Sequence, residues 1–93
     1  MKTSDAIARY PGVQGGYPVI AGTRTPVRSV VELFRIYNGD VSEVQLDLQH
    51  LSLQQIQAAL EYYRDEPDLV DEDIASQRDA SRDLLTLKVP GAR

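Results

Sequence analysis

Apolar and polar positions along the chain change their period twice, and each change predicts a different element. Residues 10–25 carry four glycines and two prolines among short β-branched pieces, which is hairpin or extended-ribbon chemistry. Gly15 and Gly16 suit the positive φ angles of a tight turn, Pro18 suits a strand start or edge, and Val19 with Ile20 forms a short strand ended by Gly22. From Thr25 the period becomes helical. Thr25 is read as N-cap and Pro26 as the first helical residue, where a missing N–H costs nothing. Val27, Val30, Val31 and Phe34 then fall at i, i+3, i+4 and i+7 as one buried stripe, with Arg28, Glu32 and Arg35 on the outer face. Asn38 and Gly39 tolerate the left-handed conformation that closes helices.

Two shorter helices follow. Val41, Val44, Leu48 and Leu51 form a seam that predicts a helix over residues 42–48. Ser52 with Gln55 makes a capping box, and Leu53, Ile56, Leu60 and Tyr63 extend the seam along a helix over residues 53–65. Pro67 ends or kinks that helix. Residues 68–82 suit a fourth helix capped by Asp68, with Val70, Ile74 and Leu84 on one side. A stripe this thin amid Asp68, Asp71, Glu72, Asp73, Asp79 and Asp83 predicts a projecting helix or partly ordered arm. The expected fold is mainly α: a trihelical helix-turn-helix core, homeodomain-like or winged-helix-like, with a short N-terminal β-hairpin and a C-terminal helical arm. The division is residues 1–67 for the domain and 68–93 for the acidic arm. Leu69, Val70, Ile74, Leu84, Leu85 and Leu87, with Val89 beyond them, are candidate anchors for a partner.

Length and charge add two expectations. A chain of 93 residues builds one core, and burial at this size is marginal enough that a homodimer or partner is expected. Residues 1–39 hold five basic and two acidic side chains, whereas residues 40–93 hold five and twelve. This asymmetry predicts two partners of opposite sign, or one half screening the other in a dimer. Cysteine is absent, which excludes a disulfide framework, thiolate zinc ligands and a cysteine nucleophile. The first residues lack the apolar stretch of a signal peptide and no run is long enough for a membrane span, so a soluble cytoplasmic protein without a membrane partner is expected.

Catalytic chemistry finds little material. His50 is the sole histidine and sits in a turn between helices, where a capping or packing role is expected. The acidic run Asp71, Glu72 and Asp73 lacks the glycine and terminal glutamate of a calcium loop and reads as a solvated face. Gly12, Gly15, Gly16 and Gly22 match neither phosphate-cradling pattern. Tyr62 and Tyr63 are able to stack on bases, but one of them must face the core. No catalytic residue, metal ligand or cofactor is therefore assigned, and an enzyme is not expected.

The arrangement of helices is the stronger signal. In a helix-turn-helix unit the last helix enters the major groove amino end first, and here its early positions are Gln54, Gln55 and Gln57. Glutamine pairs with adenine through two hydrogen bonds. Arg24, Arg28 and Arg35, with Thr23 and Thr25, are candidate phosphate contacts. Glu61, Asp65 and Glu66 beside the same helix oppose DNA. Spacing alone leaves DNA binding and a trihelical protein-interaction module open.

Gly12 and Val13 through Gly16, then Pro18, Val19 and Ile20, Gly22, Thr23 and Arg24, and Pro26 with Val27 together resemble the opening signature of the domain of unknown function 433 family. His50, Leu51 and Ser52, Ile56, Ala58, Ala59 and Leu60, and Tyr62 with Tyr63 resemble its closing signature. The resemblance covers residues 7–65 and implies a helix-turn-helix-like fold preceded by short strands. It also implies a VapB-type antitoxin: a dimer that binds operator double-stranded DNA and neutralises a PIN-like ribonuclease toxin through its C-terminal arm. The alternative is a dimeric interaction module that does not touch DNA. Two departures are Leu48 and Gln49, where the family often has Tyr-Pro, and Ala21 at a position often basic.

Overall fold

The computed structural model describes the backbone of residues 6–91 and the side chains of residues 6–80. It is mainly α-helical, with one two-stranded antiparallel sheet near the amino end. Strand β1, Ile7–Ala8, pairs with β2, Val19–Ile20, in the register Ile7 to Ile20 and Ala8 to Val19. The predicted hairpin therefore begins before Tyr10, and the glycine-rich stretch is its connection, containing a 3-10 turn at Gln14–Gly16.

β2 also fixes the start of the first helix. Ile20 N–H donates to the Thr25 carbonyl at 2.9 Å, Val27 N–H donates to the Pro18 carbonyl at 3.0 Å, and Pro26 bridges to Val19. Helix α1 is Val27–Ile36, with extended Pro26 at the cap position and no side-chain cap. Thr25 is thus not the N-cap, because its backbone is held alongside β2, and Pro18 satisfies the first helical N–H in its place. Val27, Val30 and Val31 are buried as expected, and Phe34 is half-buried against the core. Asn38 and Gly39 adopt φ of 54° and 87°, and Gly39 N–H closes on the Phe34 carbonyl at 2.8 Å.

Helix α2, Val41–Asp47, starts one residue before the predicted position because the Asp40 carboxylate caps it, accepting from the N–H groups of Ser42 and Glu43. Helix α3, Leu53–Asp65, has the predicted bounds and the reciprocal Ser52/Gln55 capping box. Leu53 departs from the predicted seam and is 44% exposed, while Leu51 in the preceding turn supplies the buried leucine at this end. The buried face of α3 is built from Ile56 and Ala59, with Leu60 and Tyr63 partly covered.

Only Glu66 separates α3 from helix α4, Pro67–Gly91. Asp68 lies within the first turn of α4 and does not cap it. Val70, Asp73 and Ile74 are buried, and Val70 and Ile74 join one core with Ile7, Ile20, Val27, Val30, Val31, Val44, Leu51 and Ile56. The first two turns of α4 accordingly belong to the folded body, and a division at residue 67 cuts through its core. Two apolar side chains suffice because α4 packs on both α1 and α3, and full burial of a Val or Ile contributes about 1.5–3 kcal/mol each. Residues 75–80 are exposed apart from half-buried Gln77, so the projecting part begins there and not at Asp68. At 1.5 Å per residue α4 is about 37 Å long, in a molecule measuring 53 × 29 × 23 Å. No helix of the described residues is long and apolar enough to cross a membrane.

Candidate nucleic-acid and partner surfaces

The turn between α2 and α3 is held from both sides. Gln45 Nε2 donates to the Leu51 carbonyl at 3.2 Å, and Leu51 N–H donates to the Leu48 carbonyl at 2.9 Å. His50, read from sequence as a capping or packing residue, bonds through Nε2 to Thr25 Oγ1 at 2.6 Å. That contact ties the helix-turn-helix to residues 23–25, which are far away in sequence. The second element is itself a tight turn: Thr23 Oγ1 donates to the Ile20 carbonyl at 2.8 Å and accepts from Thr25 N–H at 3.0 Å.

These bonds sort the candidate DNA-contacting residues. Gln54 and Gln57 are exposed on the first turns of α3, and Arg24 is exposed with no ion-pair partner among the described residues. Thr23 and Thr25 spend their hydroxyls on the turn and on His50. Gln55 Oε1 accepts from Ser52 N–H at 2.8 Å as half of the capping box. Arg28 does not lie on an open outer face. Its side chain is 17% exposed, with Nε 3.2 Å from Asp73 Oδ2 and Nη2 donating to Gln14 Oε1 at 3.1 Å.

Asp73 is 1% exposed. Its approach to Arg28 has ion-pair distance but lies off the hydrogen-bond line, so neither carboxylate oxygen has an in-line donor. Burial raises its pKa above the ordinary 3.8, with Arg28 and Gln77 opposing the shift. Its neighbours are engaged as well. Tyr63 OH donates to Asp71 Oδ1 at 2.8 Å and accepts from Arg35 Nη2, while Arg35 also lies 3.6 Å from Asp71 and over the Tyr63 ring. Tyr17 OH donates to Glu72 Oε2 at 2.9 Å. These carboxylate acceptors are the main reason the Tyr63 and Tyr17 phenols titrate above 10.0. Asp71, Glu72 and Asp73 therefore all dock α4, Asp73 from a buried position and Asp71 and Glu72 from positions that stay exposed to solvent, and the opposite charges of the two chain halves meet inside one molecule.

Among the candidate partner anchors, Val70 and Ile74 are core residues and Leu69 is half-buried. Leu84, Leu85 and Leu87 lie on α4 beyond the described side chains. Sequence reasoning missed Gln14, whose Nε2 donates to the Arg24 carbonyl at 3.2 Å. It also missed the docking role of Asp73, whose signal was its place between Val70 and Ile74 at helical spacing. Ile36 and Leu46 are exposed apolar side chains that no pattern singled out.

No curated protein matches the chain. Among solved structures it is similar to the crystal structure of a DUF433 member protein from Anabaena variabilis, at 33% identity and a TM-score of 0.65, covering 75% of this chain and 68% of that one. Residues 7–63 match the family described as "Protein of unknown function (DUF433)", a span that contains both strands, α1, α2 and nearly all of α3. On this span and that likeness, the chain belongs to the DUF433 family.

Proposed function

We propose that the protein is an antitoxin-like regulator that binds operator DNA as a homodimer through its trihelical core and neutralises a PIN-like ribonuclease toxin through the projecting part of α4. The observation that carries the DNA half is the free amino end of α3. Gln54 and Gln57 stand exposed there, and the contact between His50 and Thr25 ties this unit to the turn that presents Arg24. Gln54 and Gln57 supply the paired donor and acceptor that reads adenine, and Arg24 supplies a phosphate contact. The toxin half rests on a helix rooted in the core whose outer turns extend away from it, ending in the apolar run Leu84, Leu85 and Leu87.

A gel-shift titration against the DNA upstream of its own coding sequence tests the first half. Affinity is expected to fall steeply with salt, and Arg24→Ala to lower the log–log salt slope by about 1. No shift at low salt overturns DNA binding, and a shift whose salt slope Arg24→Ala leaves unchanged overturns the phosphate contact assigned to Arg24. Replacing Leu84, Leu85 and Leu87 by Ser in the full chain tests the second half. Loss of co-purification with a neighbouring gene product is expected, and its retention overturns the arm.

A protein-interaction module without DNA binding is the second reading, and one observation favours it. Asp73 and Asp71 already occupy Arg28 and Arg35, which leaves the proposed DNA surface with few free cations.

A further inference from the structure

Four groups from different parts of the chain form one continuous polar string. Asp73 on α4 lies 3.2 Å from Arg28 Nε on α1, Arg28 Nη2 donates to Gln14 Oε1 at 3.1 Å, and Gln14 Nε2 donates to the Arg24 carbonyl at 3.2 Å. One end is buried at the root of the projecting helix, and the other is the main chain of the turn that presents the exposed Arg24. Arg28 meets its two neighbours with donors alone, whereas Gln14 accepts on one side and donates on the other, because its amide carries both functions on one terminal group.

The backbone at Gln14 supports a specific role for its side chain. Its φ is +50°, in the left-handed region, beside Gly15 at +65° and Gly16 at +80°. Glycine adopts that conformation at lower cost, as its two neighbours do. A glutamine here accepts backbone strain and in return holds two partners from elsewhere in the chain.

We infer that Gln14 is a positioning residue that couples the docking of α4 to the conformation of residues 22–25, and thereby to the presentation of Arg24. The coupling runs through contiguous, hydrogen-bonded and ion-paired groups, so it requires no movement of the core between them. The consequence for Arg24 rests on the DNA-binding reading above; the coupling itself does not.

Amide hydrogen exchange of the full chain tests it, because the turn contains protected N–H groups: Thr23 donates to the Ile20 carbonyl, Thr25 to Thr23 Oγ1 and Gly22 to Tyr10 OH. Gln14→Gly relieves the backbone and removes the string, so protection at Gly22, Thr23 and Thr25 is expected to fall about tenfold while Ile56 and Ala59 in α3 keep theirs. Asp73→Asn is expected to loosen the same three amides from the far end, and the double variant to be no looser than Gln14→Gly alone. Gln14→Glu keeps the acceptor for Arg28 and loses the donor for Arg24, so it is expected to free the turn without undocking α4. Unchanged protection in Gln14→Gly, or loosening by Gln14→Gly but not by Asp73→Asn, overturns the coupling. Should Asp73→Asn not fold, Arg28→Lys takes its place, since its compact ammonium lacks the fork that reaches Asp73 through Nε and Gln14 through Nη2. A turn that loosens in these variants while the salt slope of DNA binding stays at the parent value upholds the coupling and removes its consequence for Arg24.

Discussion

Arg24 and Arg28 are one helical turn apart in sequence and have opposite surroundings. Arg24 stands exposed on a tight turn that is linked to α3 through Thr25 and His50. Arg28 is folded against α4 and faces a carboxylate that is 1% exposed. The same contrast separates the two faces to which they belong. On one, Gln54 and Gln57 are bare; on the other, Asp71, Glu72 and Asp73 each have a partner on α1, α3 or the amino-terminal loop. A basic front half and an acidic back half in a sequence do not reveal whether their partners are external or each other. Here much of the positive charge on α1 is answered internally, which shifts any recognition of an outside anion onto the turn and the start of α3.

The largest test of this contrast is Ile74→Ala. Creating a cavity in the shared core is expected to lower unfolding free energy by about 2–5 kcal/mol, whereas Arg24→Ala is expected to stay within about 0.5 kcal/mol. Urea denaturation measures both, and equal effects would erase the distinction between docked and open faces. Ser52→Ala comes next: losing the α3 cap is expected to cost about 1 kcal/mol, with Gln54→Ala close to neutral in the same assay. A large effect of Gln54→Ala would place that side chain in the structure and not on a free surface.

The third test is alkaline pH. Tyr63 and Tyr17 titrate above 10.0 in the folded protein because they donate to carboxylates. Folding thus favours their protonated forms. The stabilisation is fully present below the ordinary phenol value and is lost as pH rises through the raised one. The urea midpoint is expected to be insensitive to these groups up to about pH 9 and to fall as pH rises past about 10, and the fall to shrink in Tyr63→Phe with Tyr17→Phe. An unchanged fall in that double variant would mean that these bonds do not hold α4. Smallest of all is Arg35→Gln. Its ion pair with Asp71 is about half exposed on both sides, and such pairs contribute about 0–1 kcal/mol.

How legible these features were depended on whether a local pattern carried them. α3 and its capping box were readable because Ser52 and Gln55 satisfy each other within one turn, and the stop at Asn38 and Gly39 was readable from residues that tolerate positive φ. β1 was not, since Ile7 and Ala8 are too few to show a period and their partner lies beyond a glycine-rich connection. Thr25 looked like an N-cap by the same local logic, but β2 recruited its backbone. The docking of α4 was hidden for a different reason. A buried aspartate reads like a solvated one, and only a cation on another helix tells them apart. Of the candidate site, Arg24, Gln54 and Gln57 are where a free surface requires, while Thr23, Thr25, Gln55 and Arg28 are committed to partners that no spacing rule names.

The family span ends at residue 63, yet Val70 and Ile74 complete the core that this span builds. Residues 7–63 are thus not a self-sufficient cassette. A recombination that joined them to a foreign tail would have to bring a helix with an apolar pair at the same spacing and a carboxylate for Arg28. Among the described side chains the last buried one is Ile74 and the last half-buried one is Gln77, both inside a single helix, so joining a different outer arm beyond them requires keeping helical phase across the junction.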